Sequence, residues 1–158
     1  MFQRKTTKTQ ENLHTAFAGE SMANRKYLYF AKVSRQLGNE EIARLFEETA
    51  HQETGHAFAH LELIYPKGEM SVARLLELAI EGELYETNQM YPQFERVARE
   101  EGDLAAVAEF QEQGQESAEH AQIFEQAAKR FKALGLVERF HAGRYQKALD
   151  GLSQSSQT

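Results

Sequence analysis

Apolar residues recur three or four apart along almost the whole chain, and this spacing constrains the fold more than any other feature of the sequence. From Thr9, a candidate N-cap, the positions Leu13, Ala16, Phe17, Met22, Ala23, Tyr27, Phe30 and Ala31 follow it until Gly38. After Asn39, Ile42, Leu45, Phe46, Ala50, Ala57, Phe58 and Leu61 carry a second stripe to Ile64, where Tyr65-Pro66-Lys67-Gly68 breaks it. Ser71 can cap a third segment that runs through Leu75, Leu76, Ile80, Leu84, Met90 and Val97, kinks at Pro92 and ends near Gly102. Leu104 to about Leu149 keeps the pattern, with Gly114 and Gly135 as its weak points. Four such segments without strand signals predict an all-α antiparallel four-helix bundle.

The 158 residues fit one domain, expected over 1–150, with the low-complexity stretch 151–158 as a disordered tail. A net charge of −6 gives no basic face for nucleic acid. No apolar run approaches the roughly 20 residues of a membrane span, and the first residues lack a signal-peptide core. The sequence contains no cysteine, which excludes disulfides, zinc ribbons, thiol catalysis and cysteine-held iron–sulfur centres. Such a chain is expected in the cytoplasm.

Several acidic residues lie among small and apolar neighbours, where a solvated face would not place them. Glu20 is one, between Ala18-Gly19 and Ser21-Met22-Ala23. Glu53 and His56 are three apart, hence on one helix face, as are Glu83 and Glu86, and Glu138 and His141. Glu20 and Glu53 come level if the first hairpin turns near Gly38, about 18 residues out and 15 back. A carboxylate from each of two helices, with Glu-x-x-His from the other two, is how a bundle core holds two iron or manganese ions. A low-dielectric interior accepts so many carboxylates only when metal neutralises them. A single Glu-x-x-His in a Glu-rich helix usually belongs to a solvated face, so the weight rests on the whole set. His14, His51 and His60 lack such pairing and read as surface or supporting residues.

Ala18-Gly19-Glu20-Ser21-Met22-Ala23, continuing to Phe30, together with Glu53-Thr54-Gly55-His56-Ala57 and Gly82-Glu83 through Glu86 to Met90-Tyr91-Pro92, resembles the diiron domain of rubrerythrins, within the ferritin-like superfamily. The resemblance runs from about Thr9 to Leu149. It implies iron ligands at Glu20, Glu53, Glu83, Glu86, Glu138 and His141, with His56 and Glu86 exchanging on one iron as the redox state changes. It also implies that Tyr27 and Tyr91 hydrogen-bond to ligand carboxylates, and that a diferrous centre reduces hydrogen peroxide to water. Iron storage, ferroxidase or oxidase chemistry is the alternative within the superfamily.

Three departures from that pattern shape the expectations. Rubrerythrins usually carry a four-cysteine rubredoxin domain; this chain is similar to the shorter sulerythrin and erythrin forms, which implies an external electron donor such as a rubredoxin. In a ferritin-like bundle the second and third helices run parallel, so their link must cross roughly 30 to 35 Å. Residues 65–70 reach only about 20 to 24 Å when extended, which favours a domain-swapped homodimer. Finally, 103–123 reads as an insert that is partly repeated in the next stretch of chain, since Phe110, Gly114, His120 and Ala121 recur as Phe131, Gly135, His141 and Ala142. If the last turn stays at Gly102, Glu116 and His120 become the ligands of the fourth helix. If the insert lengthens both arms, the turn moves to about 112–114, and Glu138 and His141 come level with Glu83. The intact Glu-x-x-His spacing favours the second.

Overall fold

The structure, a computed structural model, describes residues 7–155, with side chains described to 147. Every regular element among them is helical: α1 (Lys8–Gln36), α2 (Glu40–Ile64), α3 (Val72–Tyr85), α4 (Tyr91–Glu101) and α5 (Leu104–Ser155). A 3-10 turn, Lys67–Glu69, lies between α2 and α3, and a π turn, Glu86–Met90, joins α3 to α4 into one continuous helical segment. The all-α expectation is borne out, with four long helical segments in two antiparallel pairs. No described helix is long and apolar enough to cross a membrane. The chain divides into two compact units, the described residues up to Met70 and those from Ser71 onward.

In the first unit α1 is capped by Thr7, not by Thr9. Thr7 accepts from the Gln10 backbone while the Gln10 side chain accepts from the Thr7 backbone, a reciprocal cap that satisfies two orphan donors. Gly38 takes a positive φ of 81° to end the helix, and Asn39 caps α2 by accepting from the Ile42 backbone at 3.1 Å. Arg35 closes the same corner with ion pairs to Glu40 at 2.8 Å and Glu47 at 3.0 Å. Ala43, Ala50 and Ala57, seven apart on α2, are buried with Ala31 of α1, so the two backbones approach closely over methyl groups. Tyr27, Phe30 and Phe46 form an aromatic cluster beside this seam.

In the second unit Gly102 adopts a left-handed φ of 77° and turns the chain directly into α5, whose first turn is capped by Asp103 accepting from Ala106. The hairpin therefore turns at Gly102, and the expectation of a turn near 112–114 is corrected. Glycine within a helix costs only about 1 kcal/mol relative to alanine. Gly114 instead lets α5 pass close to Tyr91, whose Cβ would lie 3.2 Å from an added methyl. Residues 103–123 are the return arm itself, with Val107, Ser117 and Ala121 buried. Phe110 meets Tyr91 and Phe94 across the pair, and Gln111 donates to Glu95. Further along, Ala128 and Phe131 share a groove with Ala73 and Glu77 near the start of α3. The backbone is helical to Ser155; residues 156–158 of the expected tail lie outside the described residues.

Pro92 explains the π turn. A proline cannot donate, and its ring would press on the carbonyl four residues back. The chain widens just before it, and the Tyr91 N–H donates to the Glu86 carbonyl five residues earlier.

Candidate metal centre

The α1–α2 seam sets the height of the acidic residues in the first unit. Asn24, one turn beyond Glu20, donates to the Ala50 carbonyl at 2.6 Å and to the Thr54 hydroxyl at 2.9 Å. This part-buried clamp fixes Glu20 of α1 opposite Glu53 and His56 of α2. One ligand atom from each of these three lies within 4.8 Å of the others. Glu53 keeps 15% of its side chain exposed and is met by His56, whose Nδ1 lies 2.8 Å from the Glu53 carboxylate. Carboxylate oxygens with an imidazole nitrogen, gathered in this way, suit iron or manganese.

In the second unit, α3 ends by presenting Glu83 and Glu86 three residues apart, and α5 answers at the same spacing. The His120 Nδ1 lies 3.5 Å from Glu83. The Ser117 hydroxyl donates to Glu86 at 2.9 Å, and Ser117 is only 5% exposed. Tyr91, just past the π turn, has its phenol raised above the ordinary tyrosine value by burial and then by Glu86, Glu109, Glu83 and Glu116, so it holds its proton. Tyr27 is half-buried against Phe46 and Phe30.

Glu138 and His141 do not join this set. They lie on the same unbroken α5 about five turns beyond His120, roughly 27 Å along the axis at 1.5 Å per residue. Both are exposed, and His141 makes ring contacts with its own helix neighbours Phe140 and Tyr145. The turn at Gly102 is the physical reason: it brings 117–120 level with Glu83 and Glu86, and α5 then runs on past the start of α3. Of the expected residues, Glu20, Glu53 and His56 come together in one unit. Glu83 and Glu86 come together in the other, with His120 in the place expected for His141. Glu116 is exposed on α5 beside Ser117. Asn24 stands outside the expected set; its sequence signal is its place one turn after Glu20.

A helical protein with carboxylates and imidazoles converging from facing helices is a metalloprotein of the carboxylate-bundle class. Sequence comparison gives the family: the rubrerythrin family model matches residues 11–149, and the chain belongs to the rubrerythrin family. It is 40% identical over 127 residues to a rubrerythrin of Porphyromonas gingivalis, covering 73% of this chain and 64% of that protein. It is 42% identical over 114 residues to nigerythrin of Nitratidesulfovibrio vulgaris, covering 65% and 56%. Rubrerythrin of the same organism is 34% identical over 153 residues, covering 89% and 69%. The chain thus spans less than two thirds of the length of the first two of these relatives. Among solved structures, the fully reduced, all-ferrous state of nigerythrin is 37% identical with a TM-score of 0.41, covering 83% of this chain and 71% of that one. Rubrerythrins are diiron proteins, and the Glu20, Glu53 and His56 group fits that cofactor.

Proposed function

We propose that the protein is a diiron peroxidase that reduces hydrogen peroxide to water, each peroxide taking two electrons and two protons to give two waters. The observation that carries this reading is the convergence of Glu20, Glu53 and His56 within 4.8 Å in a chain of the rubrerythrin family. In this reading Glu83, Glu86 and His120 of a second copy supply the complementary ligands. When bound, the ferrous pair supplies the two electrons that cleave the O–O bond. Glu53, only 15% exposed and met by His56, would help to hold both ions. The Tyr91 phenol, held protonated by burial and by the surrounding carboxylates, offers a hydrogen-bond donor beside them. The chain has no cysteine and cannot hold a rubredoxin-type iron within these 158 residues, so the reductant is supplied from outside them.

The reading includes a homodimer in which α1 and α2 of one copy complete a bundle with α3–α5 of another. Two features support it. The link contains a 3-10 turn, with Glu69 donating to Pro66 at 2.8 Å, so its reach is shorter than that of an extended strand. Each unit by itself is a helix pair whose buried residues are small, alanines in the first and Ala98, Val107, Ser117 and Ala121 in the second. Large side chains such as Phe58 and Leu63 in one, and Leu75 and Ile123 in the other, remain exposed. Faces of this kind call for a further helical layer.

The test is stopped-flow oxidation of the anaerobically iron-loaded protein. Hydrogen peroxide is expected to oxidise it faster than dioxygen at equal concentration. The opposite order would reassign the protein to the ferroxidase or oxidase chemistries of the superfamily.

A further inference from the structure

We infer that Ser117 occupies the place of a metal carboxylate, so that this centre runs with one anionic ligand fewer than its architecture allows and is biased toward the reduced state. The inference rests on the diiron reading and concerns how this chain tunes the site. On α5, Ser117 stands three residues before His120, the position of the carboxylate in the Glu-x-x-His arrangement of such bundles. It is buried, and it faces Glu86 at 2.9 Å while His120 faces Glu83 at 3.5 Å. The spacing and register of a ligand pair are therefore present, but the first member is a neutral hydroxyl. It donates to a neighbouring carboxylate where a glutamate would have brought a second charge.

The formal charges give the consequence. Glu20, Glu53, Glu83 and Glu86 contribute four negative charges, and His56 and His120 bind as neutral imidazoles. Two ferrous ions balance these four charges; two ferric ions leave two positive charges uncompensated in a protein environment where charge is costly. A fifth carboxylate would stabilise the oxidised pair more than the reduced pair. Its absence shifts the equilibrium toward ferrous iron and leaves the second ion more weakly held. The adjacent Glu116 is exposed and lies one residue out of phase, about 100° around the helix from Ser117.

The test uses the full chain, with cobalt(II) as a redox-inert probe for affinity and an anaerobic redox titration of the iron-loaded protein for the midpoint potential. Ser117→Glu is expected to tighten the second cobalt ion by about tenfold or more, the scale on which ligand-sphere changes act, and to lower the midpoint potential. Ser117→Ala is expected to retain both ions, since it removes a hydrogen bond and no ligand. If Ser117→Glu disturbs the helical circular dichroism, Ser117→Asp and Glu116→Gln take its place: the first should tighten binding, the second should leave it unchanged. Unchanged affinity and potential on adding a carboxylate would overturn the inference. So would loss of the second ion in Ser117→Ala, which would make the hydroxyl itself a ligand, or in Glu116→Gln or Glu138→Gln, which would place the carboxylate ligand elsewhere on α5. Wild-type protein that binds fewer than two ions per ligand set would overturn the diiron reading and this inference together. Two ions bound without any response at 117 would overturn only the inference.

Discussion

Replacing Asn24 with alanine tests whether the α1–α2 clamp sets the geometry of the metal ligands. The side chain holds two part-buried hydrogen bonds, to the Ala50 carbonyl at 2.6 Å and the Thr54 hydroxyl at 2.9 Å. Neither partner is orphaned by its removal, because the Ala50 carbonyl lies within α2 and the Thr54 hydroxyl already donates to it at 3.3 Å. The cost is therefore the modest net value of two bonds, about 2 kcal/mol, and not the larger penalty of a stranded polar group. With a urea slope of about 1 to 3 kcal/mol per molar, the unfolding midpoint of the metal-free protein should fall by roughly 1 M. Protein concentration must be held fixed, since association would contribute to the apparent stability. Asn24 lies one turn from Glu20 and grips the neighbour of Glu53, so metal affinity should fall by about 10- to 100-fold, as on loss of a ligand-orienting partner. A variant with unchanged midpoint and unchanged metal affinity would refute the clamp.

Glu53→Ala should abolish binding of both ions, measured by metal analysis after anaerobic loading; full retention of two ions would remove it from the ligand set. His120→Ala should weaken cobalt binding far more than His141→Ala, and the reverse order would return the fourth-helix ligand to the end of α5. Glu53→Ala and Glu83→Ala chains, unfolded and refolded together, should regenerate one intact site per heterodimer; recovery of no diiron absorption would rule out the swapped assembly. Arg35 holds the Glu40 and Glu47 carboxyls below their ordinary range through its side-chain hydrogen bonds. Depressed folded-state values contribute stability above the unfolded pKa and lose it as pH falls through the folded value. Arg35→Gln should therefore lower stability at neutral pH slightly and flatten the loss on acidification below the usual carboxylate range; an acid-unfolding profile that superimposes on the wild type at low salt would contradict this.

The helices were legible because their period is carried by many residues at once, and the ends of the first two because Gly38 and Pro66 act through backbone geometry alone. The start of α1 was read two residues late, because Thr7 and Thr9 both offer a capping hydroxyl and only Gln10, three residues after Thr7, favours the first. Glu20, Glu53 and His56 could be read because both arms of the first hairpin have a defined length on either side of Gly38. The last ligand position could not be read in the same way. Two segments offered a histidine at equivalent places in a repeat, and the choice between His120 and His141 turned on whether a glycine within a helix or a left-handed glycine at its end makes the corner. Glu-x-x-His spacing favoured 138–141; the positive φ at Gly102 brings 117–120 level with Glu83 and Glu86. Hydrophobic content also does not reveal that the buried positions of the first pair are alanines and that those of the second are no larger than valine.

The π turn between Glu86 and Met90 also has a meaning for how this helix tolerates insertion and deletion. A turn closed over five residues holds one residue more than the α-helical register would, and everything after it is rotated by about 100° relative to a continuous α-helix. Glu83 and Glu86 stand on one side of that phase change; Tyr91 and Phe94, which meet Phe110 at 6.3 and 5.6 Å, stand on the other. Deleting any one residue between 87 and 90 would remove the bulge and leave the aromatic contacts in phase, whereas a regular α-helix through all the present residues would turn them away from α5 while the carboxylates kept their place. The carboxylate half and the aromatic half of this segment are thus kept in step by the bulge that absorbs one extra residue, and regularising the helix there would separate them without altering either sequence.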